Sequence, residues 1–348
     1  MDYGYVNARI RGMKSHLLDR HTLENLIFQP DMESLIADLE KTPYRNDIIA
    51  AKVHYSDVLC IEYALRKNFT HTFRKILKFV KDSEAERYIR IFLHRWDVQN
   101  ITTILRGKNI HVTNEEILDC LVPAGELDEA TLTELVKQPD VRAVIDMLAT
   151  WEIVYARPLT EHYPQFSETG DLAILECALD RYYYENALET VRTRSYNNAL
   201  IRDILGTEID VVNIKTILRM IRDHVKDDIV LDFLIEGGKE LDIEDLKHLL
   251  TLHSVNEAVK ALEKTSYRFL ADIPETVVMG KISVLEKHLE KYLIRKGVDA
   301  FFSDPLSVAS VIGYFWAKYN EITNIRIISR CKTADFPLDQ LKEELIYV

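Results

Sequence analysis

The apolar residues of this chain recur with the spacing of α-helices. In five stretches they fall at positions i, i+3, i+4 and i+7, which places them on one face of a helix. These stretches cover residues 32–39, 53–65, 73–80, 174–188 and 284–293. No segment alternates apolar and polar residues convincingly with the period of two that is typical of a strand. The pattern therefore predicts an all-α fold.

Residues that favour helix ends support this prediction. Asp31 and Asp140 each follow a proline and precede a periodic apolar run, which is the usual position of an N-cap. Pro305 follows a capping residue and is predicted to lie in the first turn of another helix. Gly107 and Gly206 are predicted to end helices, as glycines often do.

A first motif occurs three times along the chain. An acidic residue is followed three positions later by an asparagine, then by an isoleucine, and finally by an arginine nine positions after the acid. The motif covers residues 97–106, 210–219 and 321–330. Its asparagines, Asn100, Asn213 and Asn324, are 113 and 111 residues apart. Self-similarity at a fixed spacing indicates an internal repeat.

Two further motifs share this spacing. Glu62, Glu176 and Glu286 are each followed three residues later by a packing leucine, and they are 114 and 110 residues apart. The segment 39–44 returns at 262–267, two periods away, while its middle copy near Leu148 has diverged. The chain is therefore predicted to contain three homologous helical domains, at residues 1–122, 123–235 and 236–348.

On a helical wheel, the first motif separates its charged residues. The acids Asp97, Asp210 and Glu321 lie within the apolar stripe, so each is predicted to cap a helix end, pair with a cation or face an internal polar space. The arginines point away from the stripe. These arginines are Arg106, Arg219 and Arg330. They lie either on an ordinary solvated surface or, if the three copies are related by three-fold symmetry, around a common axis.

Composition narrows the possible functions. The chain has 348 residues with only 11 glycines and 9 prolines, which disfavours collagen-like, low-complexity and turn-dense β proteins. Its net charge of −12 disfavours nucleic acid as a partner, because the chain repels phosphate overall. Most of the negative excess lies in residues 123–235, which form either a surface that steers a basic partner or an ordinary solvated one.

Membrane and catalytic signatures are sparse. The longest apolar stretch, residues 308–317, is half of the roughly 20 residues needed to span a bilayer. Glycine-rich phosphate loops, the H-E-x-x-H zinc motif and the G-x-S-x-G serine motif are lacking. The four cysteines lie far apart and are expected to be reduced core thiols. We therefore expect a cytoplasmic chain without a membrane span, and these signatures give no indication of a cofactor, metal or small-molecule substrate.

An acidic cluster leaves one catalytic alternative open. Its spacing is like that of the carboxylates with which helical prenyl-transferring enzymes hold magnesium. The cluster comprises Asp223, Asp227, Asp228 and Asp232. A second, facing carboxylate motif is missing, so a solvated helix end is the preferred interpretation.

The N-terminal segment has an apolar stripe beside three cations. The stripe follows helical spacing and is formed by Val6, Ile10, Met13 and Leu17. The cations are Arg9, Arg11 and Lys14. The preferred interpretation is that this segment packs against its own domain, and the alternative is that it docks onto a partner.

Residues 3–14, the triplicated acid-x-x-Asn-Ile signature and the segment WAKYNEITNIR at 316–326 together resemble one family. The chain is similar to the C subunit of the archaeal and bacterial V-type (A-type) rotary ATPases, which is in turn similar to the d subunit of the eukaryotic V-ATPase. The resemblance covers essentially the whole chain.

This resemblance implies three helical domains arranged as a pseudo-three-fold funnel with a central cavity, and it implies no catalysis. The funnel is expected on the cytoplasmic face of the membrane proteolipid ring, where it receives the central shaft, subunits D and F. Rotation then passes between the ATP-hydrolysing head and the ion-translocating ring. Under this hypothesis Arg106, Arg219 and Arg330 would line the socket for the shaft, and the N-terminal cations would dock onto the proteolipid ring.

Two alternatives remain from the residues alone. A helical-repeat adaptor unrelated to rotary ATPases would also show repeats and acidity, although its units would normally be shorter and stacked in a line. A magnesium-dependent helical enzyme would use the acidic cluster that begins at Asp223.

Overall fold

A computed structural model describes residues 3–225, 230–252, 254–274, 281–334 and 336–348. These residues contain 17 α-helices and no strand, which confirms the all-α prediction. The helices are α1 Tyr3–Lys14, α2 Arg20–Phe28, α3 Met32–Leu39, α4 Arg45–Ala51, α5 Asp57–Val80, α6 Glu84–Asn109, α7 Asn114–Leu118, α8 Glu129–Val136, α9 Val141–Thr150, α10 Ala156–Thr169, α11 Ala173–Thr190, α12 Tyr196–Arg222, α13 Ile243–Thr251, α14 Val255–Ala261, α15 Ile282–Asp299, α16 Ala309–Thr333 and α17 Leu338–Glu344. Short 3-10 turns occur at Leu262–Lys264, Arg268–Leu270 and Ala300–Phe302.

The helix starts predicted from aspartates are confirmed. Asp31 and Asp140 are the N-caps of α3 and α9, and their carboxylates accept the N–H groups of Ser34 and Ala143. The start predicted at Pro305 is wrong, because that residue lies in the turn before α16, which begins four residues later. The reason is tertiary, since the Asn7 side chain of α1 binds the Pro305 carbonyl and holds the turn.

The helix ends predicted from glycines are also wrong. Gly107 and Gly206 lie inside α6 and α12. Each leaves room for a neighbour instead: a Cβ on Gly107 would meet the Ile117 side chain at 2.5 Å, and one on Gly206 would meet the Lys239 backbone nitrogen at 3.0 Å. Glycine at these two positions therefore permits close packing rather than a turn.

The chain divides into two compact units. The first comprises Met1–Glu176 with Val298–Val348, and the second comprises Cys177–Gly297. In the first unit α6 contacts α8 and α9, and α16 contacts α2 and α3. In the second unit α12 contacts α13 and α14. Each long helix that carries the first motif thus packs against two short helices. The three-domain boundaries remain a prediction.

The first unit has an aromatic core where α5, α6 and α16 meet. Phe73 and Phe92 each contact Phe315 with tilted rings, at 5.1 and 5.4 Å between ring centroids. Phe69 adds an edge-on contact with Trp96 at 5.0 Å. Such pairs add about 0.5–1.5 kcal/mol each beyond their burial. This core therefore anchors the long helices of the first unit to one another.

The packing of Gly313 gives a test of this core. A Cβ on Gly313 of α16 would meet the Phe301 backbone nitrogen at 2.5 Å, so Gly313→Ala is expected to lower the free energy of unfolding by about 1–3 kcal/mol. Gly12→Ala in α1 is the control, since nothing lies within 4 Å of its Cβ position and alanine favours the helix by up to about 1 kcal/mol. Urea denaturation followed by circular dichroism measures both. Equal stability of the two variants would contradict the packing.

Candidate functional site

The asparagine of the repeated motif makes the same two contacts in all three copies. Its amide nitrogen donates to the carbonyl of the residue 22 positions later, and its amide oxygen accepts the N–H of that same residue. The donor and acceptor distances are 2.8 and 2.8 Å for Asn100 with Val122, 2.7 and 2.9 Å for Asn213 with Ile235, and 2.9 and 3.0 Å for Asn324 with Ile346. All three asparagines are buried. The motif therefore clamps the chain that follows each long helix.

The aspartate of the motif is buried and accepts backbone N–H groups. Asp97 binds the N–H groups of Glu126 and Leu127 at 2.9 and 3.0 Å. Asp210 binds the N–H groups of residues 239–241 at 3.1, 2.9 and 3.3 Å. It also accepts the Tyr267 hydroxyl at 2.8 Å. These are charge-assisted hydrogen bonds, which offset the removal of a carboxylate from water.

A glycine brings each of these loops onto its carboxylate. A Cβ on Gly125 would lie 2.1 Å from Oδ1 of Asp97, and a Cβ on Gly238 would lie 2.1 Å from Oδ1 of Asp210. Both glycines occur 28 residues after the aspartate. Only glycine lets the backbone approach this closely, so the loops and the carboxylates fit as pairs.

Glu321 of the third copy is satisfied differently. Lys318 donates to its Oε1 at 2.8 Å, and the Tyr44 hydroxyl donates to the same oxygen at 2.5 Å. The Leu18 N–H donates to Oε2. The ion pair is almost fully buried, and Lys318 also donates to the Tyr44 hydroxyl at 2.8 Å. Of the three possibilities predicted for each acid, Glu321 pairs with a cation, whereas Asp97 and Asp210 bind backbone N–H groups of the loops that lead into α8 and α13.

Burial shifts the pKa values of these groups. Burial raises the pKa of Asp97 to about 6, because desolvation outweighs the two backbone N–H donors and nearby His94. Burial also raises the pKa of Asp210, against the opposing effect of its backbone and tyrosine donors. Burial and the adjacent carboxylates raise the pKa of Tyr44 and of Tyr267. Both tyrosines therefore remain protonated donors.

A third tyrosine completes the triplicate pattern. The sequence predicts that the middle copy of the segment with Tyr44 and Tyr267 has diverged near Leu148. Tyr155 is the N-cap of α10, as Tyr44 is the N-cap of α4, and it is likewise buried. Its hydroxyl lies 3.5 Å from the His94 carbonyl. The tyrosines are 111 and 112 residues apart, a spacing that could have identified the copy.

Each repeated arginine binds a repeated glutamate of another copy, and the first two bind the glutamate of the next copy along the chain. Nε of Arg106 donates to Glu176 at 2.6 Å, and Nε of Arg219 donates to Glu286 at 2.5 Å. The third copy contacts the first, because Nε of Arg330 donates to Glu62 at 2.9 Å. Sequence reasoning assigned the leucines beside these glutamates to packing, and Leu65, Leu179 and Leu289 are indeed buried. It missed the carboxylates' role as arginine partners.

These three pairs lie at the surface. The side chains of Arg106, Arg219 and Arg330 are 62%, 55% and 66% exposed. Exposed ion pairs stabilise a fold by about 0–1 kcal/mol, so their main effect is to hold each guanidinium in one place. The outward orientation predicted from the helical wheel is therefore confirmed.

The N-terminal helix α1 packs on the first unit and carries cations on its outer side. Val6 and Ile10 are fully buried, which agrees with packing against α16. The Arg9 guanidinium lies 4.5 Å from the Phe79 ring centroid, and the Lys14 ammonium lies 3.8 Å from that of Phe301. Burial lowers the pKa of Lys14.

The outer side of α1 adjoins two exposed apolar side chains. Phe302 and Leu306, in the turn before α16, are 72% and 69% exposed. Lys14 also lies 4.5 Å from the Phe302 ring centroid, which places the turn beside the helix. Within the described chain Arg9, Arg11 and Lys14 make no ion pair with a carboxylate. We call these three cations with Phe302 and Leu306 the N-terminal face.

The remaining candidates have no assembled site. Asp227 and Asp228 of the acidic cluster lie outside the described residues, while Asp223 pairs with Arg222 at 2.6 Å. Across the described ranges no group of three His, Cys, Asp or Glu side chains could hold a metal ion. In those same ranges no helix is both long and apolar enough to cross a membrane. Cys60 is buried, but Cys120 is exposed, so the prediction of Cys120 as a core thiol is wrong.

The protein is thus all-helical, and the repeated polar motif holds short helices against the three long helices that carry it. Nearly the whole chain matches one family: residues 6–344 fit the model of the ATP synthase (C/AC39) subunit. The chain belongs to this family. This agrees with the resemblance found in the N-terminal segment and the triplicated signature.

Relatives that align over nearly the whole chain share one name, that of the C subunit of A-type ATP synthases. The protein of Methanococcoides burtonii is 32% identical, and the alignment covers 99% of this chain and 94% of the relative. That of Methanocaldococcus jannaschii is 30% identical, over 99% and 86%. That of Archaeoglobus fulgidus is 29% identical, over 99% and 96%.

The asparagine clamp is testable by deletion of one side chain. Asn213→Ala leaves the buried N–H and carbonyl of Ile235 without their partner, so it is expected to lower the free energy of unfolding by about 2–4 kcal/mol. Asn186→Ala, at an exposed position of α11, is the control and should change it by less than about 0.5 kcal/mol. Urea denaturation of both variants measures the difference, and similar values would argue against a clamp.

The raised pKa of Asp97 predicts a pH dependence. The folded pKa of about 6 exceeds the unfolded value of about 3.9, so the folded state binds more protons between these values. The contribution of Asp97 to stability should therefore fall as pH rises from about 4 to about 6, by on the order of 2 kcal/mol. The stability difference between wild type and Asp97→Asn should shrink over this window. The difference for Asn186→Ala should stay constant, and parallel behaviour of the two variants would refute the assignment.

Proposed function

We propose that this chain is a non-catalytic central-stalk subunit of an A-type rotary ATPase. It would join the rotating shaft, subunits D and F, to the membrane proteolipid ring on the cytoplasmic side, and so transmit torque for ion transport or ATP synthesis. The observation that carries the proposal is the full-length match to the ATP synthase (C/AC39) subunit family, together with relatives named as the C subunit of A-type ATP synthases.

The use of the buried polar groups supports a non-catalytic role. The carboxylates that sequence alone marks as unusual, Asp97, Asp210 and Glu321, hold backbone loops, a tyrosine and a lysine. Their oxygens are occupied by structural donors rather than directed at a substrate. A part that transmits torque must be stiff, and buried, fully bonded polar networks contribute stiffness.

The surface features support two docking sites within this proposal. The N-terminal face combines three cations without carboxylate partners in the described ranges and two highly exposed apolar side chains, on a chain whose net charge is −12. Exposed apolar patches rimmed by charge commonly mark interaction sites. We assign this face to the proteolipid ring. Arg106, Arg219 and Arg330, each oriented by a glutamate, are assigned to the socket for the shaft.

Deletion of the gene tests the function. ATP-driven ion pumping in membrane vesicles should disappear, because the shaft no longer turns the ring, while ATP hydrolysis by the detached head remains measurable. Re-expression of the wild-type chain should restore pumping. Pumping that survives the deletion would rule out the coupling role. Thermal stabilisation of the purified chain by magnesium would instead favour the enzyme alternative.

Surface variants test the two docking assignments separately. The triple variant Arg9→Gln, Arg11→Gln, Lys14→Gln should reduce co-purification of proteolipid from solubilised membranes by at least about tenfold, which corresponds to about 1.4 kcal/mol, and retain the shaft subunits. The triple variant Arg106→Gln, Arg219→Gln, Arg330→Gln should do the reverse. Arg142→Gln, Arg157→Gln, Arg192→Gln, at exposed paired arginines, is the matched control. Loss of both partners in all three variants would contradict the assignment.

A further inference from the structure

The three carboxylates of the repeated motif take their backbone donors from different places in the chain. For Asp97 and Asp210 the first donors, Glu126 and Lys239, both follow 29 residues later. For Glu321 the backbone donor is instead the Leu18 N–H, from the N-terminal part of the chain. Leu18 and Glu321 are 303 residues apart in sequence. The Leu18 N–H nevertheless binds Glu321 as the loop N–H groups bind Asp97 and Asp210.

The N-terminal residues reproduce the local pattern of the other two copies. In each copy a leucine donates its N–H to the carboxylate, and the next residue is an aspartate that caps a helix of eight or nine residues. The leucine and aspartate pairs are Leu127 with Asp128, Leu241 with Asp242, and Leu18 with Asp19. The helices that they start are α8, α13 and α2. An identical donor followed by an identical cap indicates the same piece of structure.

The agreement continues through the next elements. Helices α8, α13 and α2 each contact the helix that follows, namely α9, α14 and α3. Both members of each pair contact the long helix that carries the carboxylate, which is α6, α12 or α16. Each series then reaches a buried tyrosine at 155, 267 or 44. Tyr267 and Tyr44 donate to the carboxylate of their own long helix.

We infer that residues 18–44 are the second half of the third repeat, so that α16 and the turn clamped at Ile346 are completed by the N-terminal segment. Every repeat then consists of a long helix, a clamped turn, two short helices and a tyrosine. This would move residues 18–44 from the predicted first domain of 1–122 into the third. It sets α1 apart from the elements that the three copies share, and α1 carries most of the N-terminal face.

Non-covalent contacts replace the continuous chain in this repeat. The Lys332 ammonium of α16 donates to the Ile27 carbonyl at 2.8 Å and also to the Gln29 carbonyl, at the end of α2. The Arg20 guanidinium of α2 lies 4.8 Å from the Tyr347 ring centroid. These contacts connect α2 to the C-terminal part of the chain. Their loss should therefore increase the hydrogen exchange of α2 and α16 together.

Hydrogen exchange measured by mass spectrometry on the full chain tests this inference. Tyr44→Phe removes one donor to Glu321, and amide exchange should speed up about tenfold in two distant segments, residues 18–44 and 309–346. Tyr267→Phe is the matched control, because the Tyr267 hydroxyl makes the same contact with Asp210. Its effect should appear in the single continuous segment 196–267.

A confined response would overturn the inference. If Tyr44→Phe accelerates exchange only in residues 18–51, with α16 and the region around Ile346 at wild-type rates, the N-terminal segment is not part of the third repeat. Lys332→Met provides a second variant should Tyr44→Phe not fold, and it should also affect α2 and α16 together. The outcome does not depend on the partners of the protein, so the inference and the proposed function can fail independently.

Discussion

A carboxylate buried on each long helix is the constraint on which the other features depend. Removing such a group from water is unfavourable by several kcal/mol unless donors converge on it. The donors of Asp97 and Asp210 come from loops that lead into the short helices, so satisfying the charge also fixes where those helices pack. The asparagine three residues later holds the turn just before each loop. One helical turn with two polar residues thus positions a whole repeat.

Periodicity is sufficient to predict the helices, the repeated motif and the burial of its acids, because each of those features is local or recurs at a fixed spacing. The partners cannot be predicted in the same way. Glu62 lies in a helix whose pattern indicates only packing, and its arginine partners Arg326 and Arg330 are 264 and 268 residues away. Tyr155 is not recognised as the middle copy of Tyr44 and Tyr267 because the preceding helices differ in length. Helix α9, before Tyr155, has 10 residues, whereas α3, before Tyr44, has 8.

Helix boundaries are likewise predicted correctly where local contacts decide them and wrongly where tertiary contacts do. Asp31 and Asp140 are predicted correctly because an N-cap bonds to a backbone group three residues away. The prediction at Pro305 fails because a contact from α1 decides the conformation of that turn. Gly206 is assigned to a helix end by its residue type, whereas its actual use, the close approach of another chain segment, depends on tertiary structure that no local pattern contains.

The order of the arginine pairs has a consequence for how such repeats remain soluble. In an open array the outermost members have no neighbour on one flank, and natural arrays protect that flank with specialised polar members. Here Arg106 contacts the second copy, Arg219 the third and Arg330 the first. Each copy thus contributes one arginine and one glutamate to this contact, and the third copy has the same kind of partner as the other two.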